Sequence, residues 1–122
     1  MSKKVTNVMI LTMTVFMSIV ILSCKKDNIE NKQTLDQLYK IYKSGEISEC
    51  KFNGQTVYSA GLNAMDAGSV IYDKDGKQIG SCNYGWGHVD TICNQLTGCE
   101  VIYRVTDNIW GQPAVNKYSL GK

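Results

Sequence analysis

The sequence predicts a small, mainly β domain of the α+β class. About five short strands form either a partly open, OB-like barrel or a highly twisted sheet, with one N-terminal amphipathic helix. Three observations point there. Short runs of alternating or β-branched residues are separated by glycine-containing turns, notably Asn53-Gly54 and Asp75-Gly76. A single stretch ahead of these runs repeats its apolar residues at helical spacing. Four cysteines lie within the β-rich part, in a chain too short to bury a large core.

The elements follow in order. Residues 24–33 read as a polar tether, too poor in apolar side chains to fold alone. Thr34 and Gln37 form a T-x-x-Q capping box, so a helix is expected over about residues 35–44. Its apolar stripe is Leu35, Leu38, Ile41 and Tyr42, and Gly45 is its stop. A strand is expected around 47–53, and Asn53-Gly54 turns it into a return strand over 56–60. Residues 61–68 are a loop and 69–72 a third strand. The turn 73–76 leads into a fourth strand, 78–82. Residues 83–99 are irregular, with a helical turn near 91–96. Residues 100–105 form the clearest strand, rich in β-branched side chains. Trp110 is expected as a lid on the end of the barrel.

The N-terminus has the three parts of a secretory signal. Met1-Ser2-Lys3-Lys4 is basic, residues 8–22 are apolar, and Ser23 is a small residue before a cut. The apolar run is shorter than the ~20 residues that cross a bilayer core. Ile21-Leu22-Ser23-Cys24 resembles the lipobox of bacterial lipoproteins. That resemblance implies cleavage after Ser23 and acylation of Cys24, with two or more chains giving stable anchoring. Lys25-Lys26-Asp27, with Glu30 nearby, resembles the surface-export signal of lipoproteins in the Bacteroidetes. An ordinary tether at the inward face of the outer membrane is the alternative. The chain thus divides into a signal peptide at 1–23, a lipidated tether at 24–33 and one β-rich domain at 34–122.

Removing the signal takes Lys3 and Lys4 with it and leaves 11 basic and 11 acidic residues, a formal charge of zero. No basic stripe with interleaved aromatics argues for nucleic acid. Export places Cys50, Cys82, Cys93 and Cys99 where disulfides persist. Four cysteines allow three pairings. The preferred one is Cys82–Cys93, closing a short loop, with Cys50–Cys99 tying the first strand to a late one. The spacing lacks the C-x2-C pairs of structural zinc sites, and His88 is the only histidine.

Other motifs are weak. Asp73-Lys74-Asp75-Gly76 resembles the start of a calcium loop, but position twelve is Tyr84 rather than Glu, and a hairpin turn explains it better. No G-x-S-x-G elbow is present, and a Cys–His pair needs a thiol that oxidation would consume. Neither catalytic residues nor a cofactor are assigned, and no enzyme is expected. The most informative stretch is 80–93, where Tyr84, Trp86 and His88 alternate with Gly85 and Gly87 between two cysteines. Tyr and Trp are favoured interface anchors, and a constrained loop costs less to order on binding. These three residues are the candidate partner-binding loop; the alternative, that Tyr84 and Trp86 fold back as core, weighs somewhat more. Asp90-Thr91-Ile92 resembles the acceptor motif for O-glycosylation of exported Bacteroidetes proteins, which requires an exposed Thr91.

In size, lipobox, helix and short strands, the chain resembles the potempins, protease-inhibiting lipoproteins of Bacteroidetes with an oligonucleotide/oligosaccharide-binding-type barrel. The resemblance implies a proteinase inhibitor tethered to the outer membrane, at the cell surface. Its partners would be the membrane, through the lipid, and a secreted protease. No reactive-site motif matches, so no inhibitory residue is carried over. Capture of glycans or peptides, and an immunity or structural envelope role, are the other expectations.

Overall fold

The computed structural model describes residues 29–85 and 87–122. The signal segment, Cys24 and Trp86 lie outside the described residues. One helix, α1 (Lys32–Tyr42), precedes β1 (Glu46–Phe52), β2 (Gln55–Gly61), β3 (Ser69–Tyr72), β4 (Gln78–Cys82), a 3-10 turn (Thr91–Asn94), β5 (Thr97–Arg104) and β6 (Val115–Asn116). The strands form one antiparallel sheet in the order β4-β3-β2-β1-β5-β6. The described residues are therefore mainly β with a single helix. The barrel alternative is corrected: the described residues form six strands rather than five, and β4 and β6 are edges that do not pair with each other.

Local chemistry accounts for the elements. Asn53 and Gly54 both take positive φ, 49° and 74°, as a two-residue hairpin turn requires. Asp73 Oδ1 accepts the backbone N–H groups of Asp75 and Lys77, both at 2.9 Å, so this carboxylate shapes a turn. β5 starts earlier than expected because Lys51 of β1 pairs with Thr97 across a bulged register.

The helix departs from its expected start and stop. It begins at Lys32, so Thr34 lies inside it, buried, and its hydroxyl donates to the Lys74 carbonyl at 2.7 Å. The capping box does not form. Asn31, in the left-handed region, precedes the helix and its side chain donates to the Tyr58 hydroxyl at 3.1 Å. Gly45 does not cap the helix with positive φ. It is needed for close approach, since a Cβ there would lie 2.0 Å from the Gly61 carbonyl oxygen.

The sheet buries both faces. Leu35, Leu38 and Tyr42 of α1 pack with Ile47, Tyr58, Ala60, Ile102 and Tyr103 on one face. Burying a side chain such as Leu35 contributes roughly 1.5–3 kcal/mol. Cys50, Val57, Ile71, Cys82 and Ile92 form a second cluster. Adjacent β2 residues Val57 and Tyr58 join different clusters, as strand alternation demands. The second face is covered by the 3-10 turn rather than by a second helix. Ile41 is a further correction: it is 57% exposed, off the buried stripe.

Two disulfides tie these layers. Cys50 joins Cys99 across β1 and β5, and Cys82 joins Cys93 across the irregular segment. These are the pairs preferred from the sequence.

Candidate functional site: a loop-bearing end of the sheet

The two ends of the sheet differ in kind. One end carries the tight turns at 53–54 and 73–77 and receives the N-terminus of α1, where Gln37 lies against Gly76 and Thr34 bonds Lys74. Over its 11 residues α1 runs about 16 Å to the other end. There the Gly45 carbonyl accepts the Val105 N–H at 3.0 Å. Three loops gather at this second end: 61–68 after β2, 83–90 after β4, and 105–114 after β5.

Polar side chains hold the loops together. Asn83 Nδ2 donates to the Asp66 carbonyl at 3.1 Å, linking the second loop to the first. The Ile109 N–H donates to Asn63 Oδ1 at 2.8 Å, linking the third to the first. Asn108 is buried and pins its own loop: its Nδ2 donates to the carbonyls of Val105 and Gln112, and its Oδ1 accepts the Gln112 N–H. Gly68 must lack a Cβ, which would sit 2.7 Å from the Cys82 carbonyl oxygen.

Asp90 organises the second loop. Its Oδ2 accepts the Ser81 N–H at 2.8 Å, its Oδ1 lies 2.6 Å from His88 Nε2, and its own N–H donates to the Ser81 carbonyl. The Ser81 N–H, and then His88, hold the carboxyl of Asp90 below the usual aspartate range. With the Cys82–Cys93 link, these bonds fix both ends of the segment.

These loops expose large apolar side chains among their polar ones. Leu62, Met65, Tyr84, Ile109 and Trp110 are large apolar or aromatic side chains, and all are exposed. Ile41, at the adjoining end of α1, lines a shallow hollow with Leu62, Ala67 and Val70. Among the described residues, Ile79 is the remaining exposed side chain of this kind, so the exposure is concentrated at one end. Singly exposed apolar residues need no explanation, but a gathered set marks an interaction surface.

The sequence candidates divide. Tyr84 is 72% exposed, which overturns the reading of it as core. The His88 side chain is exposed too, and its bond to Asp90 places it on the same loop. Trp110 caps no barrel end; it is exposed in the third loop, two residues beyond Asn108. Thr91 is exposed at the start of the 3-10 turn. Sequence reasoning missed Leu62, Met65 and Ile109. Leu62 and Met65 stand as isolated large apolar residues in a segment otherwise built of Gly, Asn, Asp and Ala, but nothing local says that they gather with Ile109.

The His88–Asp90 pair has the partners of a general base, but Cys82 and Cys93 beside it are joined to each other and offer no thiolate. Two larger hollows lie along the C-terminal tail: in one, Lys32 and Lys117 are matched with Asp36 and Glu100, and the other is lined by Lys122 together with Val105, Thr106 and Ala114 of the third loop.

No family model matches the chain, and searches of curated proteins and of solved structures likewise gave no match.

Proposed function

We propose that the protein is a lipid-anchored envelope protein that binds another protein through the three-loop end of its sheet, and that it acts as a proteinase inhibitor. The observation that carries this reading is the exposed apolar set on three mutually bonded loops. The chain runs from the opposite end of α1 back toward Cys24. An anchor there would hold the apolar end away from the membrane and toward whatever approaches. A loop closed by a disulfide and by Asp90 loses little freedom on binding, which favours entry into a cleft. Such a loop also resists the conformational adaptation that proteolysis needs.

The test is direct. The mature protein, purified in detergent, is incubated with secreted metallo-, serine and cysteine proteases, including any encoded beside it. The reading expects stoichiometric inhibition of at least one, lost in a Leu62→Ser/Ile109→Ser variant whose thermal stability is unchanged. Inhibition of none, with no complex in size-exclusion chromatography, rejects the inhibitor role. Binding of a glycan or free peptide without effect on any protease would support capture instead.

A further inference from the structure

The charge of the loop-bearing end narrows what docks there. The segments 61–68, 83–90 and 105–114 contain Asp66, Asp90 and Asp107 and no lysine or arginine. Elsewhere the domain is rich in lysine: Lys51, Lys74, Lys77, Lys117 and Lys122 all lie outside these loops. Near the loops, the guanidinium of Arg104 is committed to Glu46 at 2.6 Å and to the Pro113 carbonyl at 3.2 Å. Asp90 is held by the Ser81 N–H and His88, so Asp66 and Asp107 are the exposed carboxylates these loops offer; the ammonium groups of Lys43, after α1, and of Lys122, which lines a hollow with Val105 and Thr106, stand outside them.

The carboxylates are interleaved with the apolar side chains rather than set apart. Asp66 follows Met65 directly, and Asp107 lies two residues before Ile109. Both Asp66 and Asp107 take positive φ, 64° and 55°, and both are exposed. A carboxylate ionised beside an apolar contact area is costly to bury without a cation. It rejects acidic partners and speeds encounter with basic ones.

We infer that the occupant of this end is a protein surface or peptide that combines apolar side chains with lysine or arginine, which seat against Leu62, Met65 and Ile109 and against Asp66 and Asp107. This rests on the binding role proposed above and adds the chemistry of the partner.

The probes are three synthetic peptides with the same leucine and phenylalanine positions. Their remaining positions are filled with lysine and arginine, with glutamate and aspartate, or with serine and glutamine. Each is titrated into the isotopically labelled full chain in zwitterionic detergent, and backbone amide resonances are followed. The basic peptide is expected to shift amides of 62–66, 83–85 and 107–110 saturably, with an advantage over the neutral one of roughly tenfold at low salt that high salt abolishes. Asp66→Asn/Asp107→Asn should remove that advantage while leaving the neutral peptide's affinity as it was. Asparagine adopts the left-handed conformation as readily as aspartate, so both turns are preserved. Equal binding of the three peptides, shifts outside these loops, indifference to the double substitution, or no binding by any peptide overturns the inference. An inhibited protease whose affinity ignores both salt and the double substitution would leave the proposed function standing and this inference rejected. Basic-peptide binding without protease inhibition would do the reverse.

Discussion

Gly80 of β4 lies directly beneath Ile92 of the 3-10 turn: a Cβ at Gly80 would come within 2.5 Å of Ile92 Cγ2. The second face of the sheet closes because this glycine lets a branched side chain rest on the strand, beside Ile71 and the Cys82–Cys93 link. Gly80→Ala is therefore expected to destabilise the domain by about 1–3 kcal/mol, the usual cost of overpacking. In an Ile92→Ala background the same substitution should cost much less, because the two sites are in contact. Denaturant unfolding of the four chains checks this; equal costs in both backgrounds would show that the contact does not govern the packing.

The two disulfides should not be equivalent. Cys82 and Cys93 are separated by 11 residues and Cys50 and Cys99 by 49. Loop-closure entropy gives about 3 kcal/mol for the shorter and about 4 kcal/mol for the longer. Cys50 is also buried, so its replacement leaves a cavity. Replacing Cys50 and Cys99 with alanine should lower the melting temperature more than replacing Cys82 and Cys93. The latter pair should chiefly loosen residues 83–92, measured as faster amide hydrogen exchange there.

Asp90 gives the domain an acid-sensitive contact. Its folded-state carboxyl is held below the aspartate range, first by the Ser81 N–H and then by His88. A lowered folded pKa contributes stability that is full above the unfolded value, about 3.9, and is lost as pH falls through the folded value. Asp90→Asn should thus be less stable than the parent at neutral pH, and the gap should narrow as pH drops below about 4. Stability curves of both chains against pH test the sign. A gap that widens in acid would show the contact to be misassigned.

The strands were legible in the sequence wherever a turn residue fixed them. Asn53-Gly54 dictated the first hairpin, and Asp73 with Gly76 the second. The pairing of the cross-links was expected because one closes a short loop and the other ties the first strand to a late one; that those two strands are neighbours is seen only in the fold. Sheet closure was not legible, because strand order depends on long-range pairing that no local signal carries; β6, with two residues, left no run to recognise. The helix boundaries moved because tertiary contacts outweighed local caps. Thr34 found a better partner in Lys74 than in its own helix, and Gly45 serves contact with Gly61 rather than termination. Of the loop-bearing end, Tyr84 and His88 were singled out through their glycine-rich setting. Leu62, Met65 and Ile109 were not, because their meaning lies in the meeting of three loops distant in sequence.

The proposed orientation at a membrane and the proposed export to an oxidising compartment both rest on the expected acylation of Cys24. Intact-mass spectrometry of the protein extracted from its own cell membranes measures this most directly. A chain beginning at Cys24, heavier than its amino acids by diacylglycerol and a further acyl group, and lighter by the hydrogens of two disulfides, is the expected result. An unacylated chain, or one retaining Met1 or Ser2 with five free thiols, would contradict it.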